Sequence, residues 1–441
     1  LSSGPGQGGD FMFGGRGKDF LVGSLDAAQT FAGQGDDFVY TGDGAKVPAG
    51  QARGEEGDDW LEGGNGADLL VGDCFRPFKI DISEAGADVF IGGAGNDEMV
   101  GEGGNDIMVT GQGIEVNVGD FGFDWVTYKA DAQPADADLN IAVVDPLDLN
   151  FIRDRFKAIE GLSGGPFNDQ LSGDDNVFAG FVFVPTEPGQ TCDPTLPVGA
   201  GIGAVAPASF YCNELSAAGT AKIDGLGLLL AGQPVPFAHG NILLGGPGSD
   251  MIMGRGGNDV IDGDAWLDVQ LRAVLNDGTV RLVNSMLDFA ADVFADPQRL
   301  NPGNITIVRS ISTAGVNPTD IDTAFFRRPQ AEYTVTNNPA GTITVAHNTT
   351  CVGGGVACVN DGVDTLRNIE RLVFADAPLL IVSDLALSFT PQLLSTASAP
   401  RVITLTNNGA VAIDLFSIDA VLGDAADFVV ATDCPRVLAS G

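Results

Sequence analysis

The chain is poor in the residues on which most catalytic chemistry depends. It has two histidines, His239 and His347, four tyrosines and 22 basic residues among 441. The sequence contains no HExxH, GxSxG or phosphate-binding loop, which argues against zinc proteases, hydrolases with that serine motif and P-loop enzymes. No CxxC pair occurs among the six cysteines, so neither a structural zinc site nor a thioredoxin-type redox site is expected. We therefore predict no catalytic residues and no enzyme activity for this chain itself.

Long apolar runs are also missing. No stretch approaches the roughly 18 apolar residues that a membrane helix needs, so no membrane span is expected. The opening residues, LSSGPGQGGD, lack Met, a basic region and an apolar core of the kind seen in signal peptides. The chain begins inside a repeat, and we expect it to be part of a longer protein.

Positive charge is scarce relative to negative charge. Asp and Glu number 59, the formal net charge is -37, and 44% of the residues are hydrophobic. This composition is too acidic for a nucleic-acid-binding protein and too apolar for a simply disordered chain. The 62 glycines do not recur at every third position, which excludes collagen. A compact fold with this charge repels itself unless cations neutralise it, and calcium is the first candidate.

A nine-residue repeat accounts for many of the glycines. Close copies of G-G-x-G-x-D-x-U-x, where U is a large apolar residue, occupy 14–22, 63–71, 92–100, 101–109 and 254–262. Looser copies lie at 5–13, 32–40, 54–62, 83–91, 119–127, 164–172 and 245–253. Glycine permits a tight turn in the first half of each unit, and the alternation around U predicts a short strand with one face inward.

The sixth position of the repeat carries the candidate metal ligands. Two units form one coil, so aspartates two units apart stack, as we expect for Asp19 with Asp37 and for Asp106 with both Asp88 and Asp124. Stacked carboxylates and turn carbonyls provide the all-oxygen shell that Ca²⁺ prefers. The predicted ligands are Asp10, Asp19, Asp37, Asp59, Asp68, Asp88, Asp97, Asp106, Asp124, Asp169, Asp250 and Asp259. A calcium-free solenoid or a disordered glycine tract is the alternative, and the regular U positions and regular aspartates disfavour both.

The repeat is irregular in three places. Ala28 stands where a ligand is expected, and Glu115 stands at another such slot with Asn117 at the inward position. The spacing lengthens between Asp37 and Asp59 and between Asp68 and Asp88. We therefore expect loops to bulge at about 41–53 and 72–82.

The nonapeptides resemble the repeats-in-toxin (RTX) calcium-binding β-roll of secreted bacterial proteins. A second resemblance covers about 119–375, where segments such as GDFGFDWVTYKAD and DGVDTLRNIERLVFAD are similar to the carboxy-terminal half of bacterial haem peroxidases of the animal type. That resemblance implies a helical catalytic domain upstream. A haem enzyme of this type needs proximal and distal histidines, but His239 and His347 occur in unrelated contexts, so no haem is expected here.

The expected fold is all-β: a parallel β-roll or solenoid with a short capping helix, then a partial immunoglobulin-like sandwich. Ser285 is the expected N-cap of a helix through SMLDFAADVFA that covers an open end of the solenoid. Strands are expected in NITIVRSI, AEYTVTN, GTITVAH and LRNIERLVFA. Four domains are predicted. Residues 1–180 form a roll with a strand-rich interruption, and 181–238 form a Pro/Gly-rich insertion. Residues 239–375 form a second roll block with the helix, and 376–441 form a truncated sandwich.

The cysteines suggest an oxidising compartment. Cys192 with Cys212 and Cys351 with Cys358 are candidate disulfides, although all six cysteines could instead be free thiols. Cys74 has no evident partner, and Cys434 would pair beyond the chain end.

The favoured function is a secreted, calcium-binding structural region that folds on Ca²⁺ and presents or stabilises neighbouring domains. Two alternatives are the non-catalytic part of a haem peroxidase and a component of an adhesin or surface layer. The expected partners are several Ca²⁺ ions, and further copies of the chain or components of the cell surface. The expected location is outside the cell or on its surface, and no nucleic-acid partner is expected.

Overall fold

The structure is a computed structural model in which the chain forms two compact units, Leu1–Phe325 with Thr334–Leu372, and Phe326–Tyr333 with Val373–Gly441. It describes residues 11–23, 29–43, 50–73, 86–143, 153–175, 214–238, 240–339, 341–348 and 360–375, and the short strands 191–192, 209–210, 380–382, 404–407, 413–414 and 437–438. The division into four domains drawn from composition stays a prediction.

Sheet 1 contains twelve strands and runs through most of the first unit. Its order is β2-β4-β6-β8-β10-β12-β15-β19-β21-β28-β27-β26. The pairs from β2 to β28 are parallel, and β27 is antiparallel to β28. The strands are β2 (Phe20–Val22), β4 (Phe38–Tyr40), β6 (Trp60–Asn65), β8 (Val89–Ala94), β10 (Ile107–Val109), β12 (Trp125–Thr127), β15 (Gly161–Ser163), β19 (Ile242–Leu244), β21 (Val260–Asp262), β26 (Tyr333–Asn337), β27 (Ile343–His347) and β28 (Val363–Arg367).

Two further sheets take the alternate strands. Sheet 2 contains β1 (Phe11–Arg16), β3 (Gln29–Gln34), β5 (Gln51–Glu56), β7 (Leu69–Val71), β9 (Glu98–Gly103), β11 (Val116–Phe121) and β14 (Arg155–Lys157). Sheet 3 contains β13 (Asp136–Asp138), β16 (Gln170–Ser172), β20 (Met251–Met253), β25 (Thr323–Phe326) and β29 (Arg371–Phe374). Each pass of the chain therefore adds a strand to sheet 1 and a strand to sheet 2 or sheet 3. This is the predicted parallel β-roll.

The apolar U positions form the interior of the roll. Leu21, Val39, Leu61, Leu70 and Met99 have no exposed surface. Their registers match the repeat, since Leu21 pairs with Val39 in sheet 1 and Leu70 with Met99 in sheet 2. The prediction that one apolar side chain per unit faces inward is confirmed.

The outer face of sheet 1 is also buried, which the repeat pattern does not predict. Phe38, Trp60, Ile107 and Trp125 follow the ladder aspartates and are at most 1% exposed. They pack against a covering layer from residues 214–238 and 265–312. This layer contains helices α1 (Ala217–Ala221), α2 (Leu226–Leu229) and α3 (Leu287–Val293), and an antiparallel covering sheet of β22 (Trp266–Val274), β23 (Val280–Val283) and β24 (Ile305–Ser312).

Helix α3 exists as predicted but occupies a different place. Its N-cap is Met286, while Ser285 Oγ donates to Glu62 Oε2 at 2.7 Å. Phe294 makes an edge contact with Phe20, their ring centroids 5.8 Å apart. Because Glu62 and Phe20 face outward from sheet 1, the expectation that the helix covers an open end is wrong. The hairpin of β26 and β27 instead terminates sheet 1 at its carboxy-terminal end.

The remaining described elements are short. They include the 3-10 turns Pro302–Asn304 and Gln330–Glu332 and the strands β17 (Thr191–Cys192), β18 (Ser209–Phe210), β30 (Leu380–Val382), β31 (Leu405–Asn407), β32 (Ile413–Asp414) and β33 (Val437–Leu438). In the second unit, Phe326, Tyr333 and Phe374 pack with ring centroids 5.2 to 5.3 Å apart. The immunoglobulin-like sandwich stays a prediction.

Several predicted features lie outside the described residues. The side chain of Cys192 and the other five cysteines are among them, so both disulfide pairings stay predictions. His239, Asp10 and Ala28 also lie outside. Within the part of the chain that the structure describes, no helix is both long and apolar enough to cross a membrane.

Candidate metal-binding ladders

The residues before the strands of sheet 1 form a continuous ladder of hydrogen bonds, here called ladder 1. The main-chain N–H of Asp19 donates to Oδ1 of Asp37 at 2.7 Å, and the same bond joins Asp88 to Asp106 at 2.8 Å and Asp106 to Asp124 at 2.9 Å. The series continues past the regular repeats. In order, ladder 1 contains Asp19, Asp37, Asp59, Asp88, Asp106, Asp124, Glu160, Asn241, Asp259 and Asp364. The link between Glu160 and Asn241 differs from the others, because Asn241 Nδ2 donates to the main-chain carbonyl of Glu160 at 3.4 Å.

Two shorter ladders precede the other sheets in the same way. Ladder 2, beside sheet 2, contains Gly50, Asp68, Asp97, Glu115 and Asp154, with 2.8 Å bonds from Asp68 N to Asp97 Oδ1 and from Glu115 N to Asp154 Oδ1. Ladder 3, beside sheet 3, contains Ala135, Asp169, Asp250, Asp322 and Glu370, joined by bonds of 2.7 to 2.9 Å.

The second oxygen of most ladder aspartates is buried without a partner. Oδ1 accepts the amide of the neighbouring coil, whereas Oδ2 has no hydrogen bond. These orphan atoms are Oδ2 of Asp19, Asp37, Asp59, Asp68, Asp88, Asp97, Asp106, Asp124, Asp250 and Asp259, and Oε1 of Glu115. A buried carboxylate oxygen without a partner carries a large desolvation cost, so each one marks a place where a proton or a cation would be stabilising.

The first glycine of each unit makes room for these oxygens. A Cβ on Gly101 would overlap Oδ2 of Asp106 and lie 3.0 Å from the carbonyl oxygen of Gly119. A carboxylate oxygen and a carbonyl oxygen of the next coil therefore approach one point from two sides. The same arrangement recurs at Gly72, which faces Oδ2 of Asp88. Gly72 thus takes the first position of the Asp88 turn.

Burial controls the electrostatics of the ladders. Burial raises the pKa of Asp37 and of Asp68 to about 7, and that of Asp250 to about 9, with neighbouring carboxylates adding to each shift. The pKa of Asp106 is raised well above its usual range by complete burial and by repulsion from Asp124 and Asp88. The empty ladders therefore favour protonated carboxyls, and a bound cation would take the place of those protons.

Basic side chains form ion pairs with acids beside the ladders. Lys18 pairs with Asp36 at 2.8 Å and Lys222 with Asp58 at 2.9 Å, both one residue before a ladder position. Asp36 and Asp58 belong to a second row of hydrogen bonds, here called the outer series. In this series the side-chain oxygen of the fifth residue of a unit accepts a main-chain N–H from the next coil, as Asp58 Oδ1 accepts from Ala87 N at 2.9 Å. Asn105, Asn168 and Asn258 do the same at 3.0, 3.0 and 2.9 Å.

Any cation in these ladders must use main-chain oxygens. Across the described ranges, no three Asp, Glu, His or Cys side chains come together in a metal-binding group. One or two carboxylates and turn carbonyls remain as donors, all of them oxygen. Ca²⁺ accepts six to eight oxygen ligands in flexible geometry, including main-chain carbonyls, so the donor set fits Ca²⁺ and lacks the nitrogen and sulfur that zinc and copper favour.

The structure brings the predicted site residues together in three groups. Asp19, Asp37, Asp59, Asp88, Asp106, Asp124 and Asp259 lie in ladder 1, Asp68 and Asp97 in ladder 2, and Asp169 and Asp250 in ladder 3. Asp10 lies outside the described residues. The ladder positions Glu160, Asn241, Asp364, Asp154, Asp322 and Glu370 were not predicted.

The missed positions lie in units that have lost most of their glycines. The segment VNDGVDTLR at 359–367 keeps Gly362, Asp364 and Leu366 at positions four, six and eight of the repeat. Leu366 pairs with Ile261, so the segment is in register with the last close copy. A search for an acidic residue two places before a buried apolar residue could have found it.

Two other polar groups depart from the repeat. Asp73 is 4% exposed, its Oδ2 has no partner, and burial with repulsion from Asp88 raises its pKa to about 9. Asn117 is completely buried between Met99 and Phe156, and neither its amide nitrogen nor its oxygen has a hydrogen bond. The coil that contains Glu115 and Asn117 is therefore the least well satisfied of the central block.

Comparison with known families identifies the repeat. The family model described as "RTX calcium-binding nonapeptide repeat (4 copies)" matches residues 6–27, 31–45, 51–73, 82–114 and 237–265. A search of curated proteins gives no match. The matched segments include turns of ladders 1 and 2 in the first half of the roll and the turn of Asp259 in the second. The chain thus contains RTX calcium-binding nonapeptide repeats.

Proposed function

We propose that the three ladders hold a series of Ca²⁺ ions and that the roll folds when these ions bind. The observation that carries this proposal is the row of buried aspartates whose Oδ1 is hydrogen-bonded and whose Oδ2 is not. Most of the orphan oxygens, such as Oδ2 of Asp88 and of Asp106, lie beside a glycine turn with a carbonyl oxygen of the next coil. A cation at that point would bridge two coils through ligands from both.

Calcium binding and folding would be one equilibrium. The unfolded chain cannot hold aspartates from separate coils together, so ions that bind only the folded roll stabilise it by mass action. Magnesium should substitute poorly, because it requires a smaller and stricter octahedron.

Circular dichroism with and without metal tests this function. The calcium-stripped protein should lose most of its strand signal, millimolar Ca²⁺ should restore it, and equal Mg²⁺ should not. A strand signal that is the same in chelator and in Ca²⁺ would contradict the proposal.

We further propose that this roll is a structural region of a larger, extracellular protein, where millimolar calcium keeps it folded. RTX repeats support that setting, and the resemblance of about 119–375 to haem peroxidases supports a neighbouring catalytic domain. Haem chemistry would then lie outside this chain, and added haem should give no Soret band that depends on His239 or His347. The resemblance of the final segment to surface-protein domains supports the adhesin alternative, which tandem sandwiches downstream would favour.

A further inference from the structure

The carboxy-terminal end of the roll contains a buried pair of carboxylates from segments far apart in sequence. Asp259 N donates to Oδ1 of Asp364 at 3.0 Å across 105 residues. Asp259 is the sixth residue of the last close copy of the nonapeptide, 254–262, whereas Asp364 lies outside every segment that matches the RTX family model. The two residues are 1% and 2% exposed.

These carboxylates repel each other and have acidic neighbours. The carboxyl groups of Asp259 and Asp364 are within hydrogen-bonding reach of each other, and Asp361 and Asp174 add negative charge nearby. Asp361 is 2% exposed and Asp174 9% exposed. Oδ2 of Asp259 is buried and has no hydrogen bond to any of the residues that the structure describes. Two carboxylates in this position require a cation or a shared proton between them.

The turns on both sides have the form of a repeat turn. Gly257 and Gly362 both have positive φ, 116° and 74°, and Gly362 lies against the carbonyl oxygen of Gly257. Val363 N donates to Oδ1 of Asn258 at 2.9 Å, which continues the outer series of hydrogen bonds. The segment 360–364 therefore supplies a turn and a carboxylate although its sequence no longer reads as a full nonapeptide.

We propose that Asp259 and Asp364 bind a Ca²⁺ ion that clasps residues 360–367 to the end of the roll. This inference rests on the proposed function, because it assigns a further Ca²⁺ ion to a site built partly from non-repeat sequence. Thr365 pairs with Val260, and β28 in turn pairs with β27 of the terminal hairpin. His347 N also donates to Gly362 O at 2.8 Å. An ion at this point would hold the hairpin, and thereby close sheet 1.

The test compares wild type with Asp364→Asn in the full chain. Asparagine keeps the acceptor oxygen for Asp259 N and removes the charge. At saturating Ca²⁺ the variant should bind one ion fewer per chain by equilibrium dialysis. Hydrogen exchange at 343–347 and 363–367 should be much faster than in wild type, while β10 and β12 stay protected. Asp277→Asn, on an exposed turn, is the matched control and should change neither measurement.

Hydrogen exchange of wild type over a calcium titration gives a second, variant-free test. Protection of 363–367 that rises with Ca²⁺ supports the clasp. Two results would overturn the clasp alone and would mean that a shared proton holds the pair. One is protection of 363–367 that does not depend on Ca²⁺ while the protection of β10 and β12 does. The other is an unchanged number of bound Ca²⁺ ions in Asp364→Asn. If β10 and β12 do not respond either, the proposed function itself fails.

Discussion

The guanidinium of Arg309, on the covering sheet, donates a hydrogen bond from Nη2 to the main-chain carbonyl of Ala87, the residue before Asp88 in ladder 1. Arg309 is 8% exposed and lies close enough to Asp88 and Asp106 to interact with their charges. The covering layer therefore places a fixed positive charge beside the ladder that we propose binds calcium. Docking of the layer and the charge state of the ladder are therefore coupled through this side chain.

Arg309→Gln should loosen the covering layer without unfolding the roll. A hydrogen bond from a charged donor contributes about 1.5 to 3 kcal/mol, so a loss of about 2 kcal/mol in unfolding free energy is expected. Trp60 and Trp125 lie under the layer, and their fluorescence should shift to the red and become accessible to quencher. Arg272→Gln, on the outward side of the same sheet, should leave the fluorescence unchanged. Equal spectra for wild type and Arg309→Gln would show that this contact does not hold the layer.

Asp106→Ala should weaken calcium-dependent folding more than any surface change. Oδ1 of Asp106 accepts from Asp88 N, and the main-chain N–H of Asp106, which alanine keeps, donates to Asp124 Oδ1. The variant therefore removes one carboxylate from the middle of three stacked coils. Removing one member of a buried charged set costs about 3 to 5 kcal/mol, which should raise the Ca²⁺ midpoint for refolding severalfold or more. The exposed Asp277→Ala should not shift the midpoint. Equal midpoints would mean that the stacked aspartates do not share ions.

Gly101→Ala tests the space at the first position of a repeat. Its Cβ would meet Oδ2 of Asp106 and the carbonyl of Gly119, so we expect a cost of about 1 to 3 kcal/mol and a higher Ca²⁺ midpoint. Gly227→Ala, in helix α2, is the control. A Cβ there would contact only Thr220 of helix α1, at 3.8 Å. Denaturant unfolding in Ca²⁺ measures both variants. A neutral Gly101→Ala would contradict the close convergence of oxygens at this turn.

The calcium-free roll should be more stable at pH 5 than at pH 8. Burial raises the pKa of Asp37 to about 7 and of Asp250 to about 9, whereas an unfolded aspartate titrates near 3.9. The folded state therefore binds more protons than the unfolded state between about pH 4 and pH 9, and its stability falls as pH rises. Bound Ca²⁺ displaces these protons, so the affinity of the folded roll for Ca²⁺ should rise as pH rises.

The strand signal of calcium-stripped protein in circular dichroism at the two pH values checks the direction of this effect. Asp250→Asn removes one titrating group and should flatten the dependence, because an amide binds no proton in this range. A strand signal without metal that is as large at pH 8 as at pH 5 would contradict the raised pKa values of the ladder carboxyls.

The sequence predicts much of the roll because the information is local. A glycine turn, an acidic sixth residue and one apolar residue in the next strand recur within nine residues, and sterics alone then direct Leu21 inward and Asp19 toward Asp37. The longer spacing predicts loops at 41–53 and 72–82 in the same way. Residues 51–53 instead begin strand β5, and the segments 44–49 and 74–82 lie outside the described residues.

What the sequence determined by itself was therefore the period of the coil, its inward apolar row and the aspartates of its regular turns. Only the tertiary structure decided that Glu160, Asp322 and Asp364 extend the ladders, since their hydrogen-bond partners are up to 105 residues away. It also decided that α3 covers a face of sheet 1 and that Arg309 lies beside Asp88. Those positions follow from burying Trp60 and Trp125 against the covering layer, and packing between distant segments leaves no periodic signal in the chain.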